Sequence, residues 1–259
     1  MFVSKNIFFP SHNEIEVFER CFKNQLPLMI KGPTGCGKSQ LVDFMSKKLS
    51  IPLINVACNE DTNASDLLGR FIIKGGETLW QDGPVTKAAR TGAILYLDEI
   101  AEAREDVIVA LHPLSDHRRE VYLDKINESI KAPDNFMLVT SFNPGYQRGI
   151  KEMKPSTRQR FVNMSMDYLN VEKESLLLQE LTLVSKDYAS KLAFMAKKIR
   201  LMNQFSFKAT LSTRLLVYAS KLIQDGMNPR SACHVAIAES LSDDPETVMA
   251  LKDLIDLSF

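Results

Sequence analysis

The chain of 259 residues, 45% hydrophobic and 25% charged, is long enough to bury a real core as one large domain or two small ones. Lys+Arg and Asp+Glu both total 32, so bulk charge does not point to a polyanion-binding surface. No apolar run approaches the ~20 residues that span a bilayer, and the first ten residues lack the apolar stretch and cleavage site of a signal peptide, so a soluble cytoplasmic protein is expected.

In chain order, the pattern predicts a helix over 13–23 and a buried strand over 28–31. Gly32-Pro33-Thr34-Gly35-Cys36-Gly37-Lys38-Ser39 follows and fits G-x-x-x-x-G-K-[ST] at every fixed position. A helix over 38–49 comes next, with Leu41, Val42, Met45 and Leu49 at helical spacing. That strand–loop–helix context is what the motif requires. Gly32, Gly35 and Gly37 let the backbone curl until several N–H groups face phosphate oxygens, and the new helix adds its positive end. Lys38 is placed to reach the terminal phosphates, and the Ser39 hydroxyl suits Mg²⁺. Pro33, Thr34 and Cys36 complete the loop, Cys36 as a small tolerated residue. A nucleoside triphosphate is the expected ligand.

A second strand is expected over 53–57, and 69–80 reads as strand, Gly75-Gly76 turn, strand. After a helix over 85–90, the apolar strand 93–97 runs straight into Asp98-Glu99. A buried parallel strand ending in acids places carboxylates at the sheet edge where α/β ligands bind. Asp98 suits Mg²⁺ ligation and Glu99 the polarising of an attacking water; two acids in the first turn of a helix are the competing reading. A helix over 104–115 precedes a candidate second hairpin over 119–130 and a strand over 136–141, which ends in Phe142-Asn143-Pro144. Asn143 has the chemistry to hydrogen-bond both a γ-phosphate and a lytic water, yet Asn-Pro is also an ordinary turn, and spacing does not choose between them. Arg158 and Arg160, beside a strand over 161–166, read either as a salt-bridged face or as an arginine finger.

From Val171 onward the pattern holds only amphipathic helices, over 174–183, 188–202, 212–225, 229–240 and 245–257. Ser212, Gly226, Asn228 and Asp243-Asp244-Pro245 punctuate them as caps. The expected fold is therefore α/β: a P-loop nucleotide-binding domain with a parallel sheet over 1–168, then a small all-helical domain over 169–259. Cys21, Cys36, Cys58 and Cys233 form no C-x-x-C pair, and His12, His112, His117 and His234 are scattered, so reduced thiols and no zinc site are expected.

Taken together, the stretches 26–38, 75–84, 96–100, 143–147, 155–161 and 211–216 resemble the AAA+ ATPases of the MoxR group, and within it the CbbQ/NirQ/NorQ subfamily. The resemblance covers nearly the whole chain. It implies ATP and Mg²⁺, with Lys38 and Ser39 as Walker A, Asp98 and Glu99 as Walker B and Asn143 as sensor 1. Arg160 would be the finger supplied in trans; Arg158 departs from the lysine often found there. Arg214 would be sensor 2, reaching the γ-phosphate from the lid, although sequence alone favours a helix-surface arginine. The resemblance further implies a homo-oligomeric ring, commonly a hexamer, with the 69–80 hairpin as the helix-2 insert facing its pore. The plainer reading is that both hairpins cover sheet edges. Relatives of this kind work with a von Willebrand factor A-domain protein, similar to CbbO or NorD. Together they activate a client enzyme, either inhibited Rubisco or a nitric oxide or nitrite reductase. Nucleic-acid remodelling is a second class, disfavoured because neither hairpin carries a Lys/Arg cluster. A scaffold that binds nucleotide without turnover is a third, and Glu99, Asn143 and Arg160 count against it.

Overall fold

The computed structural model describes residues 7–144, 153–206 and 210–259. Gly145, Tyr146 and Gln147 of the Asn143 stretch, and the first six residues, lie outside the described residues. Helix α1 (Glu14–Lys23) leads to strand β1 (Leu28–Lys31), and α2 (Lys38–Leu49) follows the Gly-rich loop. Next come β2 (Leu53–Ala57), the short α3 (Ala64–Leu68), and the pair β3 (Gly69–Lys74) and β4 (Glu77–Asp82). Helix α4 (Pro84–Thr91), β5 (Ile94–Asp98), α5 (Glu105–Leu111), β6 (Glu120–Leu123) and β7 (Glu128–Lys131) continue the chain. Strand β8 (Met137–Phe142), α6 (Pro155–Arg158) and β9 (Val162–Ser165) close this half. The sequence reading missed α3; its signal was Asn63, whose side chain accepts from the Asp66 N–H as a cap.

Five strands form one parallel sheet in the order β2-β5-β8-β1-β9. Helices cover both faces, which is why the central strands are apolar throughout rather than alternating. The pleat still sorts their side chains. Leu95 and Leu97 of β5 join Met29 and Leu138 in one core, and Ile94 and Tyr96 join Phe18, Leu41, Met45 and Val139 in the other. Register decides what happens at the carboxyl edge. Lys31 lies beside Phe142, Leu97 beside Thr140 and Ala57 beside Asp98, so the ends of β1, β8 and β5 finish level.

Both hairpins form, and neither pairs with the edge of the five-stranded sheet. The β3–β4 turn places Gly75 at φ 62° and Gly76 at φ 87°, the left-handed pair that a two-residue hairpin turn needs. This hairpin leaves Phe71, Ile73 and Leu79 exposed, Ile73 by 82%. The β6–β7 hairpin instead buries Val121, Leu123 and Ile130 in the core.

The remainder is helical: α7 (Val171–Thr182), α8 (Lys186–Ser206), α9 (Thr213–Gln224), α10 (Pro229–Cys233), α11 (Glu239–Leu241) and α12 (Pro245–Asp256). They enclose a separate core of Leu178, Leu192, Met195, Leu216, Ile237, Leu251 and their neighbours. Asn228 and Asp244 cap as expected, accepting from Ser231 and Thr247 N–H groups among others. Ser212 stands at an N-cap, but its hydroxyl makes no capping bond. The single helix expected over 229–240 is instead interrupted by a π turn, His234–Ala238. The wider turn brings Ala236, Ile237 and Ala238 all into the core after Ala232 and Cys233. Among the described residues no helix is long and apolar enough to cross a membrane.

Candidate functional site

The site grows from the level strand ends. Beyond Lys31 the chain enters the loop, where Gly32 leaves no room for a side chain: a Cβ there would lie 2.5 Å from the Met166 carbonyl oxygen. Gly35 sits at φ +71°, where a Cβ would lie 2.5 Å from the Ser212 Cβ of the helical region. Lys38 opens α2 and is only 7% exposed. Its ammonium donates to the Gly32 and Pro33 carbonyls at 2.8 and 3.0 Å and to Asn143 Oδ1 at 2.5 Å. Burial lowers its pKa, and the nearby positive charge of Arg214 pushes the same way, while Cys36, Asp98 and Glu99 oppose the shift. Incoming phosphate oxygens would compete for these donor positions, and the burial that disfavours a lone charge is relieved by an anion beside it. Burial pushes the Cys36 thiol up, the direction that favours its protonated form.

At the end of β5, Asp98 gathers three hydroxyls. Ser39 donates to its Oδ2 at 3.2 Å, Tyr96 to its Oδ1 at 2.8 Å, and Ser141 also donates to Oδ1. Tyr96 also lies 3.3 Å from the Ser39 hydroxyl, and burial raises its pKa, so it stays a neutral donor. The paired Ser39 hydroxyl and Asp98 carboxylate are hard oxygen donors that fit Mg²⁺. Glu99 adopts a left-handed backbone at φ 55°, with its N–H bonded to the Ser141 hydroxyl at 3.1 Å. This turn directs the side chain away from the strand, where Asn143 Nδ2 donates to Oε1 at 3.2 Å. The same amide donates to the Thr34 hydroxyl at 3.2 Å. Asn143 thus bridges lysine, glutamate and loop, an arrangement that needs the β1–β8 register and was not readable from an Asn-Pro dipeptide.

The arginines are placed differently. Arg160 reaches Asp116 at 3.4 Å, on the side carrying His112, and Arg158 ends α6 half-buried. Neither meets Lys38 or Glu99 of its own chain among the described contacts. Arg214 is exposed in the first turn of α9, close enough to Lys38 to affect its charge. Sequence reasoning missed Tyr96 and Ser141. Their signal was period two on the strand: Tyr96 is a polar-tipped residue two before Asp98, on the same face.

Residues 27–161 match the family model of an AAA domain of the dynein-related subfamily, and residues 174–258 match the CbbQ/NirQ/NorQ C-terminal model. The chain is 51% identical to the denitrification regulatory protein NirQ of Pseudomonas aeruginosa, covering 95% of this chain and 94% of that protein. It is 46% identical to protein NorQ of Paracoccus denitrificans, covering 97% and 93% respectively, and 49% identical to protein CbbQ of Hydrogenophilus thermoluteolus, covering 93% and 90%. Among solved structures, a putative ATPase from Cytophaga hutchinsonii superposes with a TM-score of 0.57 at 14% identity, over 95% of this chain and 81% of that one. A RuvB variant from Thermotoga maritima superposes at 0.58 and 14%, over 96% and 71%. At such identity these two bear on fold alone.

Proposed function

Because this chain belongs to the CbbQ/NirQ/NorQ family of AAA-domain proteins, we propose that it hydrolyses ATP to drive the activation of a client enzyme. One observation carries the reading: Lys38, the Ser39–Asp98 pair, Glu99 and Asn143 converge at the carboxyl edge of the sheet beside the Gly-rich loop. In this mechanism the loop N–H groups and Lys38 bind the phosphates. Ser39 and Asp98 would hold Mg²⁺, which when bound would neutralise phosphate charge. Glu99, oriented by Asn143, accepts a proton from the attacking water. Arg214 reaches the phosphates from the helical region.

Arg160, away from its own chain's Lys38, is assigned to the site of a neighbouring subunit in a homo-oligomeric, hexameric ring, with Arg158 as the alternative finger. The exposed apolar hairpin β3–β4 is the element offered to a client or to a von Willebrand factor A-domain partner. The relative from Pseudomonas aeruginosa carries the name denitrification regulatory protein, which favours a nitric oxide or nitrite reductase client over Rubisco.

The test is steady-state hydrolysis by the purified protein. Glu99→Gln should lower turnover by about 10²–10⁴ and leave ATP binding in place, the range for losing a positioned base. Lys38→Ala should weaken binding itself. Hydrolysis untouched by Glu99→Gln would remove the catalytic assignment.

A further inference from the structure

The helical region holds a buried charge cluster that the proposed mechanism does not use. Glu174 of α7, 1% exposed, forms a bidentate ion pair with Arg200 of α8, both contacts at 2.8 Å. Arg200 also donates to the Leu211 carbonyl at 2.8 Å, and the Thr213 hydroxyl donates to Glu174 at 2.6 Å. These bonds fix the start of α9, the turn that carries Arg214. One face of the cluster points at the nucleotide loop. The Arg200 guanidinium stacks 3.9 Å over the ring of Tyr168, and the Tyr168 hydroxyl donates to the Thr34 carbonyl at 2.8 Å. Thr34 is also the residue whose hydroxyl accepts from Asn143. A second touch between the two regions lies alongside, Gly35 against Ser212.

We propose that Tyr168 is a positioning residue: its hydroxyl is the joint through which the Glu174–Arg200 cluster sets Arg214 against the phosphate-binding loop. The proposal rests on the ATPase reading above. Its physical basis is the difference between the two sides of the joint. On the helical side, Glu174 is buried, and the Arg200 guanidinium that covers the half-buried Tyr168 ring is held to α7 and the start of α9 by several charge-assisted bonds, so the cluster moves as one body with α9. On the loop side there is a single hydrogen bond to a main-chain carbonyl. A shift of the loop around bound phosphate is therefore passed to the helix carrying Arg214, and the lid in turn restrains the loop.

Tyr168→Phe removes the joint and keeps the ring that Arg200 stacks on, so the fold is spared. The test is a double-mutant cycle of Tyr168→Phe and Arg214→Ala, with kcat and KM for ATP and the melting temperature read for all four proteins. Tyr168→Phe should lower kcat about fivefold or more, change KM for ATP less than about threefold, and leave melting within about 2 °C, as expected for an interaction that acts on the reacting geometry. In the Arg214→Ala background the same substitution should have almost no further effect. Independent, multiplying effects would overturn the proposal, as would a Tyr168→Phe protein with wild-type turnover. A silent Arg214→Ala would remove both the joint and the role of Arg214, while the dependence on Glu99 and Lys38 would still decide the ATPase reading separately.

Discussion

Replacing Glu174 by Gln tests how far the helical region depends on its buried ion pair. The carboxylate accepts two bonds from Arg200 and one from Thr213, and both charged groups are nearly out of water, at 1% and 12% exposure. Gln preserves size and one acceptor oxygen, which serves Thr213 and one guanidinium N–H. Its NH₂ then faces the other guanidinium N–H, donor against donor, beside a charge with no counter-charge. Breaking a buried pair from one side costs about 3–5 kcal/mol. With about 2–4 °C of melting temperature per kcal/mol for a chain of this size, a fall of roughly 6–20 °C is expected.

Differential scanning calorimetry reads it directly. The companion protein, Glu174→Leu with Arg200→Met, exchanges the pair for apolar groups of similar length. It should melt above Glu174→Gln, because exchanging both charges is often close to neutral, though below wild type because the Leu211 carbonyl and the Tyr168 ring lose their partner. A Glu174→Gln shift under about 2 °C would show that the charges are not what organises this core, and a double variant less stable than the single one would show that an uncompensated Arg200 charge is not the source of the loss.

Three further outcomes follow from the same geometry. Tyr96→Phe deletes a buried hydroxyl that donates to Asp98 and lies against Ser39. A bond to a charged group contributes about 1.5–3 kcal/mol, so the Mg²⁺ concentration for half-maximal hydrolysis should rise by about tenfold or more, and an unchanged Mg²⁺ titration would refute the assignment. Arg160→Ala should bind ATP yet hydrolyse it about 10³–10⁵ more slowly. Mixing it with Lys38→Ala should restore part of the activity, and mixed rings without rescue would contradict a shared site. Shortening the β3–β4 turn at Gly75-Gly76, where an added Cβ would meet nothing within 4 Å, should leave hydrolysis within about twofold and abolish client activation. Full activation by the shortened protein, measured with a purified client enzyme, would remove the hairpin from the mechanism.

Local features of this chain were legible without coordinates because their causes are local. The Gly-rich loop between an apolar run and an amphipathic helix admits few conformations, and β1, α2 and β2 have the limits that composition and spacing assign. Gly75-Gly76 dictates its hairpin because two successive left-handed residues match strand twist. The Asn228 and Asp244 caps answer to their own neighbouring N–H groups. The meeting of distant groups was of another kind. The Asn-Pro dipeptide left Asn143 between turn and site, and nothing local to it foretold that the pairing of Lys31 with Phe142 would set it beside Lys38. Tyr96 read as one more apolar strand residue until packing brought Ser39 to its hydroxyl. The π turn at His234–Ala238 and the Glu174–Arg200–Tyr168 cluster left no periodic trace. A residue's own conformational preference acts over a few neighbours along the chain. Its hydrogen-bond partner is chosen by strand register and helix packing, which are properties of the whole fold.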